Sequence, residues 1–437
     1  MIGRREFLAG TLGSAAAACL RGAGPEIQGP GPSGLVLGRG IYAGFGHGEK
    51  WVQIGPEIAV DSRFGEGMPS LRMTSTNGRA AGAECALGAP PAKLLQADVY
   101  VEDPASCSQM EMLLTSNGTG WLAKVTKKIS FKTGWNRLQF SINDCVVQGT
   151  GMTLNDWDRV TKVRLYFISK PGAKASIWVG PIQWLRTKAA ITFTFDDGRT
   201  GCHTNAMPIL ATYDWAATLY CVTDGVGKRT YRLADSDDVI DPLTLDQLHS
   251  LQDNGWDIAS HCVTHRDLIK ATTAQKQYEM EASKEWLVKN GFSQGARFFA
   301  TPYGHRDAET QVIASTLYEN LRDASISIGF ETPLSMDWGV DTRYQLRTQT
   351  VETQSRTTPQ KFQNWVDRAV GSGTWLILVC HAVDNPSGWL DPDLFRKYLQ
   401  ILDSRRDQID VVTMSQYWDR RKRALDEFSL NTRARTS

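Results

Sequence analysis

Two adjacent carboxylates, Asp196 and Asp197, close a β-branched and aromatic run that starts at Ala190 and stops on Gly198. Two imidazoles four residues apart, His261 and His265, follow a second strand-like run, Trp256 to Ser260. A Pro302-Tyr303-Gly304 turn follows a third, and His381 ends a fourth, Leu376 to Cys380. One strand-end carboxylate with two histidines holds a divalent cation and leaves positions open for water and substrate. The second carboxylate can then handle a proton. Alone, Asp-Gly is ordinary turn chemistry, and a single strand-end His is more often packed than used. Four chemistry-bearing strand ends in this order single the set out.

Strands must deliver these groups. Side chains alternate along a strand, so Ile191, Phe193 and Phe195 share one face, Thr192 and Thr194 the other, and Asp196 and Asp197 point apart. His261 and His265, at i and i+4, are expected to share a face of a helical turn and converge on one ion. From Ala189 to Arg420, strands near Ile191, Thr218, Ile258, Phe298, Ser325, Leu376 and Val411 alternate with amphipathic helices. Thr244 with Gln247 and Thr272 with Gln275 fit capping boxes. Thr358-Pro359 and Asp391-Pro392 fit caps with a first-turn proline, and Gly291 and Gly371 sit where C-caps belong. Repeated βα units of this kind predict a distorted, TIM-like α/β barrel of about seven strands, with its active residues at the strand C-termini.

The preceding region, residues 35–187, shows short alternating runs broken by turn signals. Leu94 to Val101, Gln109 to Thr115, Trp121 to Ile129, Arg137 to Ile142, Thr161 to Ile168 and Ala175 to Leu185 read as strands of a β-sandwich. Its tryptophans resemble those of jelly-roll carbohydrate-binding modules. Trp121, Trp135 and Trp157 are candidates for a sugar-stacking platform, against the blander expectation that they fill the core. Residues 1–24, with Arg4-Arg5 and then a short small-residue stretch, resemble a twin-arginine (Tat) export signal. That address implies a periplasmic or extracellular protein, with lipid anchoring at Cys19 as an alternative. Residues 25–34 read as a linker and 421–437 as a fraying, flexible tail.

The 437 residues carry 48 basic and 47 acidic side chains, a net charge of +1, so charge gives no case for nucleic acid or an anionic membrane. No stretch past the signal is long and apolar enough to span a bilayer. Eight cysteines without a Cys-x-x-Cys pair read as mostly buried thiols.

The order Thr194-Phe195-Asp196-Asp197-Gly198, His261-x-x-x-His265, Pro302-Tyr303-Gly304 and Leu378-x-x-His381 resembles the polysaccharide deacetylases, the NodB-homology or carbohydrate esterase family 4 enzymes, over residues 188–420. The resemblance implies a metal-dependent hydrolase that removes N-acetyl groups from N-acetylglucosamine-containing glycans. Zinc is the expected metal, with cobalt, nickel or iron as alternatives. By motif, Asp197, His261 and His265 would bind the metal, Asp196 would be the general base and His381 the general acid. The Tyr303 amide would help hold the oxyanion.

Three positions depart from the family pattern. Cys262 replaces a Ser or Thr that bonds within the His-x-x-x-His loop, and Ala300 replaces an Arg that orients the base. Arg347 is the expected substitute for that Arg. The acid tuning His381 is expected at Asp337 or Asp341. Other readings are an O-acetyl esterase on xylan-like glycan, a non-catalytic glycan-binding protein, and a metalloamidase acting on a small non-sugar molecule. The sequence leaves the polymer and the oligomeric state open.

Overall fold

The computed structural model describes residues 27–28, 36–45, 51–55, 57–61, 69–127, 131–142, 145–324, 343–344, 346–353, 355–384 and 388–433. The expected export signal and most of the linker lie outside them. The chain divides into two compact units, the first built mainly from Gly38–Leu138 and Cys145–Leu185, the second mainly from Arg186–Ser437.

The first unit is two antiparallel sheets, of eight and six strands. The chain passes repeatedly between them. Ser70–Thr76, Leu94–Val101 and Lys174–Val179 lie in the larger sheet, while Ala81–Ala86, Cys107–Thr115 and Lys162–Ser169 lie in the smaller. Alternation along Lys162–Ser169 buries Val163, Leu165 and Phe167 completely and turns Arg164 and Tyr166 outward. The expected single strand from Ala175 to Leu185 is two, Lys174–Val179 and Ile182–Thr187, placed on either side of Leu94–Val101. Pro181, which has no N–H to give a ladder, follows Gly180 at the break. Trp157 is fully buried and so fills the core instead of offering a platform. Trp121 is half-buried beneath the Arg164 guanidinium, 4.1 Å from its ring, and Trp135 packs edge-on against Tyr100.

The second unit is a distorted parallel α/β barrel. Its strands are β1 (Ala189–Phe195), β2 (Thr218–Cys221), β3 (Asp257–Ser260), β4 (Phe298–Ala300), β5 (Asn320–Arg322), β6 (Gln349–Thr350), β7 (Trp375–Cys380) and β8 (Ile409–Val411). They run in the order β5-β4-β3-β2-β1-β7-β6, with β8 beside the start of β1. An isolated parallel bridge joins Arg322 to Leu346, so β5 also meets the segment that leads into β6. The strand expected near Ser325 is β5, which ends three residues earlier.

The helices are α1 (Met207–Ala211), α2 (Leu245–Asp253), α3 (Thr273–Lys289), α4 (Ala308–Leu317), α5 (Pro359–Ser372), α6 (Pro392–Asp403) and α7 (Met414–Arg433). Capping boxes at Thr244 and Thr272 satisfy the orphan N–H groups that open α2 and α3, and Thr358 and Asp391 cap α5 and α6 ahead of their prolines. The C-cap of α5 is Gly373, at φ 61°, while Gly371 lies inside the helix. A glycine is required at 373, because a Cβ there would sit 2.0 Å from Thr187 Oγ1.

β1 is buried along its whole length and splits as alternation dictates. Ile191, Phe193 and Phe195 pack outward against the helix layer, with Trp256 and Phe395 among their neighbours. Thr192 and Thr194 face the barrel interior, where Thr192 accepts from Trp375 Nε1 at 2.9 Å and Thr194 donates to the Leu378 carbonyl at 2.9 Å. None of the seven described cysteines is in a disulfide, and all are buried. Among the described residues no helix is long and apolar enough to cross a membrane.

Candidate metal centre and active site

Asp196 keeps the interior parity of Thr192 and Thr194. Alternation alone would send Asp197 to the opposite side, but Asp197 takes φ 71° and Gly198 φ 81°. That left-handed turn brings the second carboxylate back over the barrel mouth. There its Oδ1 lies 3.3 Å from His265 Nε2 and 3.6 Å from His261 Nε2. One ligand atom from each of Asp197, His261 and His265 falls within 4.8 Å of the others, and all three residues are buried.

The two imidazoles do not share a helical face as expected. Residues 261–265 form an irregular loop, with Cys262 at φ 71° and His265 at φ 69°. Cys262 points into an apolar cluster with Leu268, Met280 and Phe299, so it serves packing there. The loop is tied instead by buried Glu279 of α3, which accepts from the Thr264 amide at 2.8 Å and from its hydroxyl at 2.5 Å. His261 Nδ1 lies 2.9 Å from the Ala300 carbonyl and donates to it, which leaves the Nε2 lone pair facing Asp197.

The triad fits a divalent cation. Asp197 Oδ1 is buried without a hydrogen-bond partner, an arrangement that is costly unless a cation accepts its lone pairs. Burial pushes both histidines down, His265 to about 4, so the imidazoles stay neutral and able to ligate. Burial opposes ionisation of Asp197, yet the protonated His381 and the Arg199 guanidinium beside it outweigh that and hold the carboxyl well below its usual range.

Beside the triad, Asp196 is buried and bonded to the Arg322 guanidinium. Its Oδ2 lies 4.0 Å from His261 Nε2. Arg322 is fully buried and stacks on Tyr220, with its guanidinium carbon 4.3 Å from the ring. The guanidinium on Asp196 is therefore that of Arg322 and not of Arg347. Leu346 packs into the barrel interior with Tyr220 and Ala300, so the next residue, Arg347, faces the other way, where its charge acts on Arg368 of α5. Across the site His381 ends β7, with its Nδ1 donating to Glu352 Oε1 at 2.5 Å. Burial pushes this imidazole down, but Asp197, Glu352 and Asp196 win and raise it to about 9. Asp337 and Asp341 lie outside the described residues, and Glu352 is the acid on His381.

Tyr303 takes φ 58° in its turn, packs edge-on against His265 with ring centroids 4.6 Å apart, and donates its hydroxyl to the Ala234 carbonyl at 2.5 Å. Ala234 belongs to a hairpin in which Tyr231–Arg232 pairs with Val239–Ile240. The same hairpin gives its Ala234 amide to the Thr264 carbonyl, accepts the Asp267 amide on Asp235, and holds Arg199 through Asp238.

A family profile described as polysaccharide deacetylase matches residues 186–320. Those residues form a polysaccharide deacetylase domain. The putative polysaccharide deacetylase YxkH of Bacillus subtilis (strain 168) is 30% identical over 124 residues, which is 28% of this chain and 40% of that protein. The match thus spans less than half of that relative's length. Among solved structures, similar folds include the Xyl-CE4 domain of a multidomain xylanase from the hindgut metagenome of Trinervitermes trinervoides, at 18% identity and a TM-score of 0.38 over 54% of this chain and 92% of that one. The chitin deacetylase of Colletotrichum lindemuthianum gives 17%, 0.36, 53% and 87%. The Streptococcus pyogenes deacetylase PplD gives 26%, 0.30, 37% and 63%.

In the deacetylase domain, the strand-end residues read from sequence converge: Asp196, Asp197, His261, His265 and Tyr303 from their loops, with His381 joining from β7 beyond the matched span. Arg322 and Glu352 were missed. Arg322 ends Asn320-Leu321-Arg322, a strand that the reading placed three residues too late. Glu352 follows a strand of two residues, too short to carry a period.

Proposed function

We propose that this protein is an exported, metal-dependent polysaccharide deacetylase that hydrolyses N-acetyl groups of N-acetylglucosamine-containing glycan. The observation that carries the reading is the division of labour between neighbouring carboxylates: Asp197 turned to two neutral imidazoles, Asp196 held apart on Arg322. A donor set of two imidazole nitrogens and one carboxylate oxygen suits zinc first, and cobalt, nickel or iron as well. When bound, the cation would supply Lewis acidity to the acetyl carbonyl and to a water.

The chain's own residues do the rest. Asp196, aimed by Arg322, takes the proton of the attacking water. The Tyr303 amide, in its left-handed turn, donates to the oxyanion of the tetrahedral intermediate; one such donor is worth roughly 3–4 kcal/mol. His381 holds a proton because Glu352 and the aspartates favour the imidazolium, and it passes that proton to the departing sugar amine. Export rests on Arg4-Arg5 and the apolar stretch after them, an address that suits an enzyme whose polymer lies outside the cytoplasm. The antiparallel unit would hold the glycan, with Trp121 and Trp135 as the stacking candidates that are not fully buried.

The test is acetate release from N-acetylated oligomers and O-acetylated xylan, after chelation and after zinc or cobalt is restored, beside Asp196→Asn. Metal-restored release from the N-acetyl substrates, lost in Asp196→Asn, is the expected result. Release from xylan alone would move the activity to esters. No release from any substrate, with metal bound, would overturn the enzymatic reading.

A further inference from the structure

Asp197 presents its two oxygens to different partners. Oδ1 faces His265 and His261 and has no hydrogen bond, whereas Oδ2 is 3.0 Å from Arg199 Nε. Arg199 stands two residues along the chain, past the left-handed turn. Its side chain is almost wholly buried and is fixed on three sides. Asp238 of the hairpin takes its Nη2, Asp197 takes its Nε, and its guanidinium carbon lies 4.8 Å above the Trp389 ring. Trp389 in turn stacks on His381, with ring centroids 4.2 Å apart.

A guanidinium beside a cation ligand is an unusual neighbour. Its charge repels the cation, and its hydrogen bond takes up a carboxylate oxygen that would otherwise be free to coordinate. Both effects have a place here. Asp238 supplies a second carboxylate, so the Arg199–Asp238 pair is close to neutral as seen from the triad. What remains is direction: a planar fork that clamps Oδ2 and leaves Oδ1 alone for the ion.

We infer that Arg199 is a positioning residue of the cation site, restricting Asp197 to one-oxygen coordination, with Asp238 as the counter-charge that keeps the clamp compatible with a cation. The inference rests on the reading of Asp197, His261 and His265 as the cation ligands. Restricting the aspartate to one oxygen keeps the coordination number low and a position open for substrate. A carboxylate free to swing would bring in its second oxygen and fill that position.

Cobalt(II) reports this directly, because its visible bands weaken as coordination number rises. The full chain, stripped of metal, would be titrated with cobalt(II) alone, and zinc affinity would be measured by competition with a chromogenic chelator, for wild type, Asp197→Ala, Arg199→Gln and Asp238→Asn. Thermal melts would confirm that each variant is folded. Wild type should bind one equivalent, lost in Asp197→Ala. Arg199→Gln should weaken the cobalt bands at least twofold, with the band positions moving toward higher coordination. Asp238→Asn should keep the wild-type spectrum and lose zinc affinity by tenfold or more, since Arg199 would then face the cation uncompensated. If Arg199→Gln is folded and spectrally unchanged, Arg199 is only a packing residue and the inference falls while the cation site stands. Should Arg199→Gln fail to fold, an unchanged zinc affinity in Asp238→Asn would overturn the inference. If wild type takes up no stoichiometric cation sensitive to Asp197→Ala, both the inference and the reading of the triad fall.

Discussion

Asp196 and Asp197 are chemically identical and adjacent, yet their surroundings assign them different work. Arg322 meets one and two neutral imidazoles meet the other, so exchanging their environments would be as damaging as deleting either. Asp196→Asn should lower turnover by about 10²–10⁴, the usual contribution of a general base, while leaving zinc affinity within a few-fold of wild type. Steady-state kinetics beside a chelator competition checks both halves. His381 carries a second prediction. Its folded value, raised to about 9, keeps it protonated through neutral pH, so activity that needs the imidazolium should fall as pH rises through that value. A bound cation screens Asp197 and moves the fall to lower pH. Glu352→Gln removes another raising charge, and the alkaline limb of kcat should shift further down, with the acid limb unmoved. At this scale the sequence was informative because four chemistry-bearing strand ends fall in a distinctive order, although each alone is ordinary. Arg322 and Glu352 escaped because each acts through a partner far away in the chain, and nothing local marks an Arg or Glu as such a partner.

Elements place these residues, and they do so with local rules. Capping boxes at Thr244 and Thr272 and the Pro-led starts of α5 and α6 were readable because a cap is a short-range hydrogen bond between residues three apart. The helical turn expected from His261 and His265 was not there. An i, i+4 spacing is compatible with a helix, but here left-handed residues at Cys262 and His265 fold the loop more tightly. The loop leans on α3 through Glu279. Glu279→Ala would leave the Thr264 amide and hydroxyl without their acceptor and should cost about 1–3 kcal/mol, read as a lower urea midpoint with weaker zinc binding. At the other end of the barrel, Gly373→Ala places a Cβ against Thr187 in a left-handed conformation, so it should destabilise by more than about 1 kcal/mol without changing cation affinity. That contrast separates a loop that serves the site from a cap that serves the fold.

Across the whole molecule, the alternation of strand and helix announced the barrel, and the short alternating runs announced the antiparallel unit. Strand β6 and the pairing of Arg322 with Leu346 were not legible, since two-residue strands and single bridges arise only once distant neighbours exist. Cation binding to the folded barrel should raise its stability by about 2.7 kcal/mol at a hundredfold excess over Kd, seen as an upward shift in its melting transition that chelation reverses. Without metal, acid should act early. His265 is held at about 4 against an ordinary 6.5, so the unfolded chain takes up a proton that the fold resists, and stability is lost as pH falls from 6.5 toward 4. Denaturation of the apo protein across that window checks the sign.

The hairpin from Tyr231 to Ile240 touches the loops of Asp197, His265 and Tyr303 together, through Asp238, Ala234 and Asp235. Its tip is open to solvent at Asp235 and Asp237. Three loops of the site thus take anchors from the same ten residues, so a change in this exposed hairpin bears on all of them at once without touching a cation ligand.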